Sequence, residues 1–304
     1  MNDFDPEWQR EVGVEHDFDP ERHRRASLEQ WEAAAPGWAR WQAAMRDFAG
    51  PASAWMLDAL DLRPGQRVLD IAAGVGDTGL LAARRVAPAG GVVLGDQAEG
   101  MLQAARARAR ELGVENVEVR QLNAEWLDLP TATLDAVLCR WGFMLMADRE
   151  AALRECRRVL RPGGAIALAV WSTPQRNPWV TVPMAVLSGA QADFAPAWLP
   201  AAREGPAGMF ALADRDELAD TLREAGFTEV AVAAVELVRR HASFEEFWQC
   251  TLDVSGGVHD LVMEKPAAEI ERIEGEIRRR LERYVAADGT VAIPAETLVA
   301  RASA

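Results

Sequence analysis

The pattern of apolar and polar positions changes near residue 61 of this 304-residue chain. Between residues 28 and 60, apolar side chains recur three, four and seven positions apart, which predicts helices. The pairs Pro36-Gly37 and Gly50-Pro51 predict that these helices are short. After residue 65 the pattern becomes strand, glycine turn and helix, several times over. Such alternation is typical of a parallel sheet with helices wound on both of its faces.

Short apolar runs mark the predicted strands, and longer amphipathic segments mark the helices between them. Strands are predicted at residues 68–71, 92–94, 117–121, 134–139, 165–171, 228–238 and 296–301. Helices are predicted at residues 78–86, 101–112, 149–160 and 215–225. In a sheet of this kind a ligand binds beyond the carboxyl ends of the strands. The ends of the first strands are therefore the candidate binding site.

Interruptions of this alternation divide the chain. Residues 1–60 are expected to form an N-terminal arm, loosely held over the first 30 residues, and a helical lid. Residues 61–172 should form the core that binds the ligand. Residues 173–304 should supply the rest of the core, at 214–240 and 295–302, together with insertions at 174–212 and 243–288. We interpret these two insertions as a cap over the substrate.

Charge and composition narrow the choice of partner. The formal net charge of −14 argues against nucleic acid and against an anionic membrane, because both attract clustered positive charge. The three cysteines include no CxxC pair, which favours neither a disulfide framework nor a metal site. The N-terminus is acidic, and no apolar run approaches the roughly 18 residues of a membrane helix. We expect a cytoplasmic protein that acts on a small molecule, and a homodimer is left open.

The glycine turn after the first strand has two interpretations. Gly74, Gly76 and Gly79 fit the GxGxxG pattern, and an acid, Asp96, ends the next strand, as in NAD-dependent oxidoreductases. A dinucleotide would bring a pyrophosphate to this turn, however, and the nearby carboxylates of Asp70 and Asp77 would repel it. S-adenosylmethionine (SAM) brings an ammonium and a sulfonium instead. The two acids therefore favour SAM.

Residues 70–76 resemble motif I of the class I SAM-dependent methyltransferases, with Ala72 in place of the first glycine. Further segments match this family in order: Asp96 with Met101-Leu102-Ala104 behind it, Asn123-Ala124, residues 134–142 as motif IV, and residues 153–164 before the fifth strand. In pattern the chain is most similar to the ubiquinone/menaquinone-type and small-molecule natural-product methyltransferases. The resemblance implies a Rossmann-like, doubly wound α/β sheet of about seven strands, the last antiparallel, with SAM as the cofactor.

The resemblance also implies roles for single residues. Asp96 would accept hydrogen bonds from both ribose hydroxyls, Asn123 would accept one from the adenine amine, and the Ala124 N–H would serve a ring nitrogen. The side chain of Arg140 would pair with an acid while its backbone lies against SAM. An aromatic side chain of the N-terminal helix would close over the cofactor. The complete set predicted to bind SAM is Asp70, Ala72, Gly74, Gly76, Asp77, Asp96, Gln97, Asn123, Ala124, Glu125, Arg140, and Trp38 or Trp41.

The acceptor side has weaker signals. Trp141 and Trp171, at the ends of the fourth and fifth strands, are predicted to contact the substrate. His241 and His259 are the candidates for a general base. The predicted reaction is in-line transfer of a methyl group to oxygen, nitrogen or carbon of a small aromatic or apolar molecule, in secondary metabolism or quinone biosynthesis. Two alternatives remain: a protein of this fold that uses SAM without methylating, and an NAD-dependent oxidoreductase.

Overall fold

The computed structural model describes residues 18–189 and 207–304. Residues 1–17 of the predicted arm and residues 190–206 of the first cap insertion lie outside this range. Two helices come first, α1 (Pro20–Arg40) and α2 (Gln42–Ala59). The strands are β1 (Arg67–Ile71), β2 (Gly91–Asp96), β3 (Val117–Gln121), β4 (Leu134–Arg140), β5 (Leu160–Trp171), β6 (Thr228–His241) and β7 (Val291–Ser303). The other helices are α3 (Asp77–Val86), α4 (Glu99–Glu111), α5 (Arg149–Val159), α6 (Pro178–Leu187), α7 (Arg215–Glu224), α8 (Phe244–Val254), α9 (Gly256–Met263) and α10 (Ala267–Leu281).

The seven strands form one sheet in the order β3-β2-β1-β4-β5-β7-β6. Strands β1 to β5 are parallel to one another, whereas β7 runs antiparallel to β5 and β6, between which it lies. The predicted doubly wound sheet with an antiparallel last strand is therefore confirmed. The chain winds from β1 outward to β3 and then returns to β4. The carboxyl ends of β1 and β4 thus flank the point where the winding reverses, which is where such sheets bind ligands.

Strand burial explains why the central strands have nearly continuous apolar sequences. All but the last residue of β4 are buried, whereas the edge strand β3 is only partly buried. Helix α3 contacts β1 and β2 on one face, and α2 spreads over β5, β6 and β7. Helix α5 links β4 to β5 in the opposite winding direction, so a right-handed crossover places it on the other face. A strand covered on both faces needs apolar side chains on both.

The two N-terminal helices are longer than predicted. Helix α1 has 21 residues and α2 has 18, and they run through Pro36 and Pro51. A proline removes one backbone N–H from a helix, and here the tertiary contacts outweigh that loss. At Gly37, α1 packs so closely on α8 that an added Cβ would lie 1.8 Å from the Asp253 carbonyl oxygen. The prediction of short helices was wrong, as was that of a loose arm over residues 20–30.

The later elements extend beyond their predicted limits. Strand β5 begins at Leu160 and includes the turn-like Pro162-Gly163-Gly164 sequence, and β7 is 13 residues long. The second insertion is helical. Its helix α8 packs against α1, and its helix α10 packs against α6. Within the described ranges, no helix is long and apolar enough to cross a membrane.

Candidate functional site

The carboxyl ends of the parallel strands open into a cavity of about 340 Å³. Its wall follows the strand order: Asn123 follows β3, Asp96 ends β2, Ala72 follows β1, Trp141 follows β4 and Trp171 ends β5. Neighbouring strands lie about 4.8 Å apart, so these positions form a row along the edge of the sheet. An elongated ligand would lie along this row, with its polar end at β3 and β2 and its apolar end at β4 and β5.

Asp96 lies at the polar end and is held by backbone groups. Its Oδ2 accepts a hydrogen bond from the Gly74 N–H at 2.9 Å, and its Oδ1 accepts one from the Ala98 N–H at 3.0 Å. Burial raises the pKa of Asp96 above its usual range. Each carboxylate oxygen keeps a further lone pair, so the group can still accept bonds from two hydroxyls. The geometry therefore fits the predicted contact with a ribose.

Beside Asp96, the wall includes Gln97, Asn123, Ala124 and Glu125. The Asn123 Oδ1 accepts a hydrogen bond from the Glu125 N–H at 2.9 Å, so the oxygen predicted for the adenine amine also closes a turn. Helix α1 fastens this end: Arg24 Nε donates to Glu125 Oε2 at 2.8 Å, and Gln97 Nε2 donates to Ser27 Oγ at 3.2 Å. The adenine end would thus be enclosed between the loop after β3 and α1.

The turn between β1 and α3 brings the backbone to the cavity. Ala72, Gly74 and Gly76 have φ angles of 53°, 55° and 87°, in the left-handed region that favours glycine. A Cβ added to Gly74, which lines the cavity, would meet nothing within 4 Å. A Cβ added to Gly79 would lie 2.1 Å from Leu94. Gly74 therefore leaves room for a ligand, Gly79 lets α3 pack on the sheet, and Gly76 lies behind the wall as the N-cap of α3.

Two predicted SAM-binding acids lie behind the turn and not in the cavity wall. Asp70 is 2% exposed, and its Oδ2 lies 2.8 Å from where a Cβ of Gly79 would be, so it faces the first turn of α3. Burial raises the pKa of Asp70 to about 7, against the opposing effect of Arg140. Asp77 is 5% exposed, and its Oδ1 accepts a hydrogen bond from Gln42 at 3.1 Å. Their positions therefore do not support the predicted direct contact with the ligand.

The guanidinium of Arg140 points away from the ligand path. Its Nη1 donates to Ser53 Oγ at 2.9 Å, and its Nη2 lies 3.5 Å from Asp77 Oδ2. The predicted pairing of this side chain with an acid is present in the structure. Around the turn, the Arg140 cation thus acts on the carboxyl groups of Asp70 and Asp77, and Asp96 ends the neighbouring strand. A group with more carboxyls than cations suits a ligand that carries an ammonium and a sulfonium, and it disfavours a pyrophosphate. The site fits SAM.

The other end of the cavity is apolar, and we call it the acceptor pocket. We define it by the apolar and aromatic wall residues Met45, Trp141, Met144, Trp171, Trp179, Val180 and Met209. The rings of Trp141 and Trp171 stack with their centroids 4.1 Å apart, and Phe48 of α2 lies 5.9 Å from both. Trp179 packs on Trp171 at 5.1 Å. Such flat faces suit a planar apolar ligand, and both tryptophans predicted to contact the substrate lie here.

Helix α1 covers the cavity, but only one of its two candidate aromatics faces it. Trp38 lines the cavity, and its Nε1 donates to the Val254 carbonyl oxygen at 3.0 Å. Trp41 lies outside the wall, with its Nε1 donating to Asp253 Oδ2 at 2.7 Å and its ring against His241. Of the two alternatives the structure favours Trp38, because Trp41 lies at the junction of α1 and α2, where its side chain turns toward α8.

Neither candidate base is among the residues that line the cavity. His241 is 6% exposed, and burial together with the adjacent Arg239 cation lowers the pKa of its imidazole to about 3. His259 is exposed on α9. A general base must come within hydrogen-bond reach of its substrate, so the position of neither residue supports the predicted role. His23 of α1 does line the cavity, with its Nε2 2.9 Å from the Leu145 carbonyl oxygen, and only the tertiary placement of α1 reveals it.

Residues 53–187 match the ubiE/COQ5 methyltransferase family. Over 123 residues the chain is 40% identical to a ubiquinone/menaquinone biosynthesis C-methyltransferase, UbiE, of Pasteurella multocida (strain Pm70), and the match covers 40% of this chain and 46% of that protein. The chain thus spans about half the length of the curated relatives it matches. The segment that matches the family, residues 53–187, includes the glycine turn, Asp96, Asn123 and both predicted substrate-binding tryptophans.

Two solved structures share the fold. The YcgJ protein from Bacillus subtilis superposes with a TM-score of 0.54 at 19% identity, covering 83% of this chain and 97% of that one. The [4+2]-cyclase SpnF superposes with a TM-score of 0.51 at 16% identity, covering 90% of this chain and 95% of that one. At such identities the likeness concerns the fold alone.

Proposed function

We propose that this chain, which belongs to the class I SAM-dependent methyltransferases by its fold and by the family matched over residues 53–187, methylates a small apolar molecule. The observation that carries the proposal is that the polar row at β3 and β2 and the acceptor pocket share one cavity across the turn after β1. Donor and acceptor in one enclosure can be held in line for direct transfer. By analogy with the matched quinone-biosynthesis relatives, a hydroxylated aromatic molecule is the leading acceptor.

Each part of the polar row would hold one part of the cofactor. When bound, SAM supplies an electrophilic methyl group on a sulfonium. Asp96 would accept hydrogen bonds from the ribose, and the Asn123-Ala124 loop would hold the adenine. The backbone after β1, opened at Gly74, would lie against the methionine end. The buried charges behind the turn would favour the cationic groups without occupying their space.

Holding the methyl donor and the acceptor in line and excluding water from them would supply most of the rate acceleration. Methyl transfer removes the positive charge at sulfur, so a strong ion placed there gives little advantage. The stacked Trp141 and Trp171 rings would orient the acceptor, and α1 would exclude water from it. The described carboxylates and imidazole of the cavity wall, those of Asp96, Glu125 and His23, are not among the residues that define the acceptor pocket. We therefore infer an acceptor that becomes nucleophilic without a general base from the acceptor pocket, such as an acidic phenol or an electron-rich ring carbon.

Equilibrium binding and label transfer test the proposal. Isothermal titration should give micromolar binding of SAM and of S-adenosylhomocysteine and no binding of NAD. Tritium from methyl-labelled SAM should then appear in product with at least one member of a panel of quinols, phenols and polyketides. Binding of NAD without binding of SAM would overturn the proposal.

A second candidate function uses SAM without methylating. The absence of a base from the described pocket wall favours it, and SpnF, which shares the fold, is a cyclase. Tight SAM binding with no label transfer to any acceptor of the panel would support this candidate. An NAD-dependent oxidoreductase is disfavoured, since β7 lies between β5 and β6, whereas the dinucleotide-binding order is 3-2-1-4-5-6. A cytoplasmic location and a homodimer stay predictions.

A further inference from the structure

The three tryptophans of the acceptor pocket differ in what their indole N–H groups bind. Trp141 Nε1 donates to Thr297 Oγ1 at 3.1 Å, and Trp179 Nε1 donates to Asn177 Oδ1 at 3.2 Å. The Trp171 Nε1 has no acceptor among residues 18–189 and 207–304. It is also not one of the fully enclosed polar atoms without a partner, so it keeps some accessible surface, and the residue that carries it lines the cavity.

The Trp171 ring is fixed where it lies. The residue is 4% exposed at the end of β5, and its backbone N–H donates to Met144 Sδ at 3.4 Å. Trp141 stacks on one side of the ring, and Trp179 packs against it at 5.1 Å. Because the ring is confined on several sides, its N–H cannot easily turn toward another protein group. An N–H in an apolar environment without an acceptor is unfavourable, and an oxygen of the ligand would relieve that cost.

The other residues that define the acceptor pocket do not compete for such an oxygen. They are Met45, Met144, Val180 and Met209, whose side chains carry no N–H or O–H group. The N–H groups of Trp141 and Trp179 are already used within the protein. Other side chains with N–H or O–H groups, among them those of Gln30, Arg140 and Ser255, line the same cavity outside this set. Among the described residues that define the acceptor pocket, Trp171 is therefore the one whose side-chain N–H is available to a ligand.

We propose that Trp171 determines acceptor specificity by donating its indole N–H to a hydroxyl or carbonyl oxygen on a flat aromatic molecule held between the apolar walls. The proposal rests on the proposed function for the place of the acceptor. The stacked tryptophan rings supply affinity for the flat ring system of the acceptor. The Trp171 N–H sets the orientation in which this ring system binds. Acceptors of the same shape without this oxygen bind more weakly and in no fixed orientation.

Two probes of one shape test this assignment. The full chain, labelled with ¹⁵N in its tryptophans and saturated with S-adenosylhomocysteine, is titrated with 1-naphthol and with naphthalene. We expect 1-naphthol to bind about three- to tenfold more tightly, the range of a net neutral hydrogen bond. One of the eleven indole N–H signals should move downfield with 1-naphthol and stay in place with naphthalene.

Matched variants identify the donor. Trp171→Phe keeps an aromatic ring and removes the N–H, so it should lose both the moving signal and the preference for 1-naphthol. Trp179→Phe makes the same change at an N–H already bonded to Asn177, and it should keep the preference. Equal affinities in the wild type, no binding of either probe, or a preference retained in Trp171→Phe would overturn the assignment.

The same samples separate this proposal from the proposed function. Binding of S-adenosylhomocysteine without a preference for 1-naphthol refutes the role of Trp171 alone. Failure to bind S-adenosylhomocysteine refutes the proposed function, and the probe titrations still decide the role of Trp171. If circular dichroism shows that Trp171→Phe does not fold, the NMR spectrum of the wild type decides. In that spectrum one indole N–H signal must shift with 1-naphthol and must not shift with naphthalene.

Discussion

The two ends of the cavity are built in opposite ways. The polar end comes from three short turns after β1, β2 and β3, and it presents backbone groups and the fixed carboxylates of Asp96 and Glu125. The acceptor pocket is assembled from side chains of α2, the ends of β4 and β5, α6 and Met209. A ligand common to a whole family can be bound by a short motif of consecutive residues. A ligand that differs among relatives is bound by side chains that the fold gathers from distant segments.

Helix α1 is the element that touches both ends. Glu32 accepts hydrogen bonds from the Glu99 and Gly100 N–H groups, at 2.6 and 2.9 Å, and so caps α4 behind the polar end. Trp38 lines the cavity further along and is bonded to Val254, at the end of α8. The two ends should therefore respond independently to substitutions in their own walls and together to substitutions in α1.

The largest effect is expected from Phe48→Ala, in the acceptor half. Phe48 is 4% exposed and contacts Trp141, Trp171 and Trp179, so its removal should lower the free energy of unfolding by about 3–5 kcal/mol. The SAM affinity of the protein that remains folded should change less than twofold. Urea denaturation and isothermal titration measure the two quantities. A loss of SAM affinity as large as the loss of stability would show that the two ends are coupled.

The next effect is expected from Asp96→Ala, in the polar half. Removing a charged acceptor from two ribose hydroxyls should weaken SAM binding by about 1.5–3 kcal/mol. The loss includes the support that Asp96 gives to the Gly74 and Ala98 N–H groups. Isothermal titration with SAM measures it, and 1-naphthol affinity should stay unchanged in the same variant. Wild-type SAM affinity in Asp96→Ala would contradict the ribose assignment.

A pH-dependent effect, smaller for each pH unit, is expected from Asp70→Asn. The pKa of Asp70 is about 7 in the folded protein, against an ordinary value near 4 in the unfolded chain. Between these values the folded state binds more protons, so this group makes the free energy of unfolding fall as the pH rises, by up to about 1.4 kcal/mol per pH unit. Asparagine cannot ionise, so the variant should lose that slope. Denaturation curves from pH 4 to 8 check it, and equal slopes in both proteins would count against the raised pKa of Asp70.

The smallest effect is expected from Ala72→Gly. Ala72 has a φ of 53°, where a side chain costs about 1–2 kcal/mol and a glycine does not. The greater entropy of glycine in the unfolded chain offsets part of this gain, so the variant should be more stable by less than about 1 kcal/mol. Gly74→Ala, at a φ of 55°, is the matched control and should destabilise the protein. Thermal unfolding compares the two, and a shift of both in the same direction would contradict the role of backbone strain.

The parallel core and the glycine turn could be predicted from the sequence because both depend on local order. The predicted strands coincide with β1 to β4 to within two residues at each end, and the spacing from Asp70 to Asp96 marks the polar row. Local order also explains the errors at α1 and α2. Pro36 and Pro51 indicate breaks in an isolated helix, and the packing of these helices overrides that preference.

The acceptor pocket could be predicted only in part. Trp141 and Trp171 follow recognisable strands, so their position beside the site could be inferred. Met45, Trp179 and Met209 come from segments whose spacing resembles that of any packed helix or loop, and nothing local distinguishes a pocket wall from a core. His241 is a possible base as a residue type, and Arg239 lies only two residues before it on β6, but the burial that lowers its pKa depends on tertiary structure.

Strand β7 fixes the order in which the protein can be completed. It follows β6 in the chain but lies between β5 and β6, and its Thr297 accepts the hydrogen bond of Trp141. While the ribosome is still making residues 291–303, the sheet has a gap beside β5, and Trp141 lacks its partner. The turn after β1 and its neighbours β2 and β4 can already be paired at that time. The nascent chain can thus form the polar edge of the cavity before β7 completes the support of the acceptor pocket.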